Sequence, residues 1–205
     1  MCGIVGYIGK KPVYDILING LKKLEYRGYD SSGVMIYNNE LLVKKSKGKV
    51  SALENLFSNE KDKKGTIGIG HTRWATHGPP NQVNSHPHIS NSGEISLVHN
   101  GIIENYDSIK KILLKKGYTF SSDTDSEVLV NLIEDIKKSK KVKLGKAVYY
   151  ALKQVVGAYA IVAFDSTNPK ELVGARLGSP LAIGVGESEY YFGSDATPFL
   201  EFTKR

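Results

Sequence analysis

At 205 residues the chain is long enough for a domain with a substantial core, and 40% hydrophobic with 24% charged residues is the balance of a soluble globular protein. The net charge of +7 comes from lysines in short scattered groups, many on the polar faces of expected helices. They lack the interleaved aromatics of a base-stacking platform, which argues against a nucleic-acid partner. No apolar run approaches the roughly 20 residues that span a bilayer, no signal-peptide pattern opens the sequence, and one cysteine allows no internal disulfide. The expectation is a cytoplasmic protein in a reducing compartment, with no membrane partner.

Residues 3–9 read as a buried strand, followed at Pro12 by a helix on which Val13, Ile16, Leu17, Leu21 and Leu24 recur at helical spacing, stopped by Gly28. Gly33–Tyr37 and Leu41–Lys45 form a hairpin about Asn38-Asn39, and a short amphipathic helix covers Val50–Phe57. Thr66–Gly70 is a strand opening into a turn-rich segment, 71–85. Ile95–His99 is a strand ending at Asn100-Gly101. Helices are expected over Tyr106–Lys116, with Gly117 as stop, and beyond Thr124, where Thr124 and Glu127 have capping-box spacing ahead of the stripe Val128, Leu129, Leu132, Ile133 and Ile136. Tyr118–Phe120 reads as a brief strand between them, and Leu144–Val155 as a further helix. Four short strands follow, Ala158–Phe164, Leu172–Leu177, Leu181–Val185 and Tyr190–Phe192, whose tight connections imply antiparallel pairing. Phe199–Phe202 reads like the start of another strand, as if the domain were cut short at its C-terminal end. Runs of strands with helices between them give α+β layers in one domain, 1–205, rather than a doubly wound parallel sheet.

Chemistry concentrates in a few places. Cys2 is the only cysteine, and removal of Met1 leaves a thiol and a free α-amine on one residue. An α-amine, with an intrinsic pKa of about 7.7–8.0, can accept and return a proton near neutral pH, so such a residue can be nucleophile and base together. By itself a Met-Cys start fits a small packed residue better, since free cysteines usually pack rather than react. His71–Gly78 places Arg73, whose planar fork matches a carboxylate, beside Trp74, which can close over a ligand. Asn100-Gly101 offers a side-chain amide and a backbone N–H that can hold an oxyanion, or simply makes a turn. Asp123–Glu127 puts carboxylates at a helix start, where they can cap the helix or take an ammonium group. Glu25–Gly33 is a polar exit from the first helix. The five histidines fall in one segment but lack metal-ligand spacing and a cysteine pair, and no phosphate loop is present, so no metal and no cofactor is expected.

In this order Met1-Cys2-Gly3-Ile4-Val5-Gly6, Glu25 to Gly33, His71 to Gly78, His86-Pro87-His88, Val98 to Asn105, Thr124 to Glu127 and Gly178 to Leu181 resemble the glutaminase domain of class II glutamine amidotransferases, which are N-terminal-nucleophile hydrolases. Each segment is weak alone; the ordered set is specific. The resemblance is strongest to the branch whose members continue into two sugar-isomerase-like domains that bind fructose-6-phosphate. It implies a four-layer α-β-β-α sandwich with two antiparallel sheets and L-glutamine as substrate. Cys2 would be the nucleophile, Asn100 and Gly101 the oxyanion hole, and Arg73 the clamp on the substrate carboxylate, helped by Thr76 and His77. Asp125 would take the substrate ammonium, Trp74 would shield the site, and Arg27 would support the N-terminal region. It also implies further domains outside this sequence and a homo-oligomeric full-length enzyme.

Overall fold

The computed structural model describes residues 2–74 and 79–205. Its elements in chain order are β1 Gly3–Ile8, α1 Val13–Leu24, β2 Ser31–Tyr37, β3 Leu41–Lys47, α2 Val50–Glu54, β4 Ile67–Arg73, β5 His88–Ile89, β6 Ile95–Ile103, α3 Tyr106–Lys115, α4 Asp125–Lys140, α5 Leu144–Leu152, β7 Gly157–Asp165, β8 Leu172–Leu177, β9 Ala182–Gly186 and β10 Glu189–Gly193. Six strands form one sheet in the order β3-β2-β4-β1-β10-β9, four form a second in the order β5-β6-β7-β8, and the strand pairs are antiparallel.

Three apolar layers hold this together. The stripe of α1 packs with Val50 and Leu53 of α2 on the outer face of the six-stranded sheet. Closeness there depends on β4, where Gly68 and Gly70 present no side chain to α1. A Cβ at Gly68 would sit 2.7 Å from the Met35 carbonyl and 2.8 Å from Leu17, too close to accommodate. On the other side, α3, α4 and α5 cover the four-stranded sheet, with Leu129, Ile133, Ala147 and Val148 against Ile95, Leu97 and Ile161. Between the sheets lie Ile4, Met35, Ile69, Val98, Val162, Phe164 and Phe192. Each such side chain, taken out of water, contributes roughly 1.5–3 kcal/mol before chain entropy is counted. This is the α-β-β-α sandwich expected.

The element ends differ from the sequence reading in instructive ways. The α1 helix passes at Glu25 into a 3₁₀ turn, Glu25–Arg27, and Gly28, with φ +108°, ends that turn rather than the helix. Thr124 caps α4 by accepting from the Glu127 N–H at 3.2 Å, but the Glu127 carboxylate reaches past Thr124 to the N–H groups of Ser121 and Ser122, at 2.9 and 2.7 Å. Tyr118–Phe120 is no strand: Thr119 is held by the Asn91 side chain, which occupies the place of a neighbouring strand. Phe199–Phe202 is a pair of helical turns, with Phe199 buried against the α1 core. The last four strands are not one meander. β7 and β8 belong to the small sheet, while the chain crosses at 178–181 so that β9 and β10 join the large one. Asn100-Gly101 is not a turn either. β6 runs through it to Ile103, paired with β7, and Gly101 takes φ +123° where a Cβ would lie 2.0 Å from the Ala158 carbonyl.

Candidate active site

Alternation along the strands decides which side chains enter the space between the sheets. On β4, Ile67 and Ile69 share a face with His71 and Arg73. Cys2 extends the stripe of Ile4, Ser194 extends that of Phe192, and Asn100 follows Val98. Register brings them level: Ile4 pairs with His71, and Val5 with Gly193. Cys2, His71, Asn100 and Ser194 therefore meet at one end of the sandwich.

Cys2 is held through its backbone. Its carbonyl accepts from Arg27 Nε and from Asn100 Nδ2, both at 3.1 Å. Arg27 is itself anchored on Asp195, Nη1 to Oδ2 at 3.3 Å, where Tyr26 also donates at 2.8 Å. The thiol faces the backbone of Trp74: Sγ accepts from its N–H at 3.1 Å and lies 3.5 Å from its carbonyl. Burial pushes the Cys2 thiol above its ordinary pKa, against the lowering pull of the Trp74 N–H and of the Arg73 charge. A proton acceptor next to the sulfur is what such a thiol needs. The Trp74 ring itself is half exposed and lies over Gly28, where a Cβ would come within 2.8 Å of it.

Asn100 is 7% exposed, and both ends of its amide are engaged: Oδ1 with His71 Nε2 at 2.8 Å, Nδ2 with Ser194 Oγ at 3.0 Å as well as with Cys2. Ser194 Oγ also accepts from the Ile4 N–H at 2.8 Å. Arg73, 3% exposed, donates to the Pro79 carbonyl at 3.2 Å. Asp125, at the first turn of α4, accepts from the Ile103 N–H at 2.8 Å, with His99 Nδ1 4.0 Å away. A helix N-terminus is a favourable place for that carboxylate. These groups line a single cavity of about 350 Å³, its walls including Cys2, Arg27, Arg73, Trp74, Asn100, Gly101, Asp125, Ser179 and Pro180.

His86, His99, Thr124 and Ser126 form part of the cavity wall, where the described histidines are tied to hydroxyls and to one another. Ser126 Oγ bridges His86 Nε2 at 2.9 Å and His99 Nδ1 at 2.8 Å, Thr124 Oγ1 meets His88 Nε2 at 3.0 Å, and the His71 and His86 rings pack at 4.1 Å between centroids, tilted by 32°. Burial holds His71 down to about 3 and His86 and His88 well below the ordinary histidine range, so all three are neutral at working pH. Among the described residues no cluster of ligand-type side chains could hold a metal.

Cys2, Asn100, Gly101, Arg73, Trp74, Asp125 and Arg27 are thus brought together as the sequence motifs suggest; Thr76 and His77 lie outside the described residues. The sequence reading assigned nothing to Ser194, Asp195 or Ser126, and gave no role to His71 within its motif. Ser194 and Asp195 have no local signal, being an ordinary serine and aspartate after a strand. Their place follows only from the pairing of β10 with β1.

A family model for the glutamine amidotransferase domain matches residues 56–204, well over half of the chain. The chain belongs to that family. It is 58% identical over its whole length to a glutamine–fructose-6-phosphate aminotransferase (isomerizing) from Bacteroides thetaiotaomicron and 51% identical to one from Chlorobaculum tepidum, in each case covering 34% of the relative. It spans about a third of the length of these relatives. Among solved structures, the glutamine phosphoribosylpyrophosphate amidotransferase from B. subtilis, complexed with ADP and GMP, superposes on 98% of this chain and 44% of its own, with a TM-score of 0.82 and 29% identity. A class-II glutamine aminotransferase domain protein from Silicibacter pomeroyi, 14% identical with a TM-score of 0.62 over 98% of this chain, shares the fold. The glutamine amidotransferase family has the N-terminal-nucleophile architecture that the motifs implied.

Proposed function

We propose that this domain hydrolyses L-glutamine to glutamate and ammonia on Cys2. The observation that carries the reading is the meeting, in one cavity of a glutamine amidotransferase domain, of a thiol, an amide donor at its carbonyl, the Arg73 cation and the Asp125 anion. With Met1 removed, the Cys2 α-amine takes the thiol proton as Sγ attacks the side-chain amide carbon of glutamine. Asn100 Nδ2–H and the Gly101 N–H hold the oxygen as it becomes negative. The C–N bond then breaks, the α-ammonium returns its proton to the departing nitrogen, and a γ-glutamyl thioester and ammonia result. Water adds to the thioester by the same route in reverse, glutamate leaves, and the thiol is restored.

Arg73 and Asp125 read the two charges of the amino-acid head group, with Thr76 and His77 completing the carboxylate side, Trp74 covering the cavity and Arg27 fixing the Cys2 backbone. A ligand lacking either charge forgoes one of these two charge pairings, which supports selection for a free amino acid. Residues 1–205 act as the glutaminase domain of a longer homo-oligomeric cytoplasmic enzyme. There the ammonia passes to sugar-isomerase domains and converts fructose-6-phosphate to glucosamine-6-phosphate, as the names of the relatives support.

The test is glutamate release by protein whose intact mass shows Met1 absent. Activity is expected in that form, and is expected to vanish both in Cys2→Ala and in protein that retains Met1, whose Cys2 nitrogen is an amide unable to accept a proton. Glutamate release that survives Cys2→Ala overturns the mechanism.

A further inference from the structure

An asparagine amide can hold an oxyanion only with its NH₂ end turned toward it, and the two ends of the group are nearly the same size. Something must choose the orientation of Asn100. Ser194 cannot, because a hydroxyl donates as readily as it accepts. His71 can. Its Nε2 faces two groups, Asn100 Oδ1 at 2.8 Å and the His99 carbonyl at 3.1 Å. A carbonyl only accepts, so Nε2 must carry the ring proton, and whatever part of Asn100 faces it must be an acceptor. The NH₂ end is then directed at Cys2, whose own carbonyl, likewise an acceptor, agrees.

We propose that His71 is a positioning residue for the glutaminase reaction, donating from Nε2 to Asn100 Oδ1 and so presenting Asn100 Nδ2–H to the reacting oxygen. The inference rests on the reading of Asn100 as an oxyanion donor. The rest of the His71 ring suits the task. It is 1% exposed and packed against the His86 ring, which restricts its swing. Burial holds it neutral, so it has one proton to place, and Nδ1 is left as a buried lone pair with no partner among the described residues. A donor at Oδ1 also polarises the amide and strengthens its N–H groups as donors. His71 touches neither sulfur nor substrate in this scheme; it acts through Asn100.

The test compares His71→Leu, which removes the donor, with His71→Gln, which can restore one. In His71→Leu, kcat is expected to fall roughly 10- to 100-fold, less than the roughly 10²–10³ for losing the oxyanion donor itself. KM for glutamine and the rate of Cys2 alkylation by iodoacetamide should stay within about twofold, since neither uses the oxyanion hole. Affinity for glutamate γ-semialdehyde, whose thiohemiacetal with Cys2 carries the oxyanion, should fall by the same factor as kcat while affinity for glutamate holds. His71→Gln should recover most of the loss. Unchanged kcat in His71→Leu, equal losses in kcat, glutamate affinity and alkylation, or no recovery in His71→Gln overturns the proposal. Should the leucine variant not fold, ¹⁵N spectra of the wild-type imidazole decide: the Nε2–H tautomer supports the assignment and the Nδ1–H tautomer overturns it. Wild-type protein that releases no glutamate, or Asn100→Ala with full kcat, instead sinks the reading on which the inference stands.

Discussion

The space between the two sheets has two ends built on the same strands. At one end Ile8, Ile67, Ile69, Val98, Phe164 and Phe192 interdigitate as an apolar core. At the other, the same stripes continue as Cys2, His71, Arg73, Asn100 and Ser194, and every polar contact has to be matched. On β4 and β10 the change from apolar to polar falls at His71 and Ser194, level with Ile4, while β1 stays apolar through Ile4 and turns polar at Cys2. The apolar end has no directional partner to satisfy and tolerates any good packing; the polar end fails if one donor is turned the wrong way. The fold therefore uses one end to hold the sheets at a fixed spacing and the other to place atoms.

That division predicts a separation of effects. The largest is expected at the apolar end: Phe164→Ala should destabilise by about 3–5 kcal/mol in urea unfolding while leaving KM for glutamine near wild type. Loss of kcat beyond the loss of folded protein would show that the two ends are not separable. Next, Asn100→Ala should lower kcat by roughly 10²–10³, about 2.7–4 kcal/mol of barrier, with little change in the urea midpoint; steady-state kinetics near wild type would remove Asn100 from the oxyanion hole.

Of the two ends, acid is expected to act on the polar one. His71, His86 and His88 have folded-state values depressed below the unfolded value of about 6.5, so the unfolded chain binds more protons in acid. Their contribution is complete above about pH 6.5 and is lost as pH falls, at up to roughly 1.4 kcal/mol per pH unit for each. Unfolding midpoints flat from pH 6.5 to 5 would mean that these rings are charged in the folded protein. The smallest effect is at the edge of the site: Thr124→Ala removes the α4 cap and should cost about 1 kcal/mol. A rise in KM beyond about threefold would show instead that the cap sets the position of Asp125.

Most of the apolar end was legible in the sequence, because Ile, Val and Phe at period two and the α1 and α4 stripes at helical spacing need no knowledge of partners. That Cys2, Arg73 and Asp125 belong to one site was legible through their motifs, and they line one cavity. What was not legible depends on sheet register. Asn100-Gly101 has the composition of a turn, and only the ladder to β7 shows that the strand continues past Asn100 and kinks through Gly101. Ser194 is an unremarkable serine until β10 lies beside β1. Likewise, nothing near Tyr118–Phe120 reveals that Asn91 stands where a strand was expected.

The pairing of β1 with β10 has a consequence in time. Ile4 and Ser194 exchange two hydrogen bonds, N–H to Oγ at 2.8 Å and N–H to carbonyl at 3.1 Å, across 190 positions of chain, and Arg27 reaches Asp195 across nearly as many. Within this domain, the residues that seat the Cys2 backbone are made long after Cys2 itself. Until they arrive, β1 lacks one neighbour and Cys2 is an ordinary thiol on an unfinished sheet edge. Long-range strand pairing of this kind is slow to form. The setting of Cys2 is thus completed only once β10 has been made and has paired with β1.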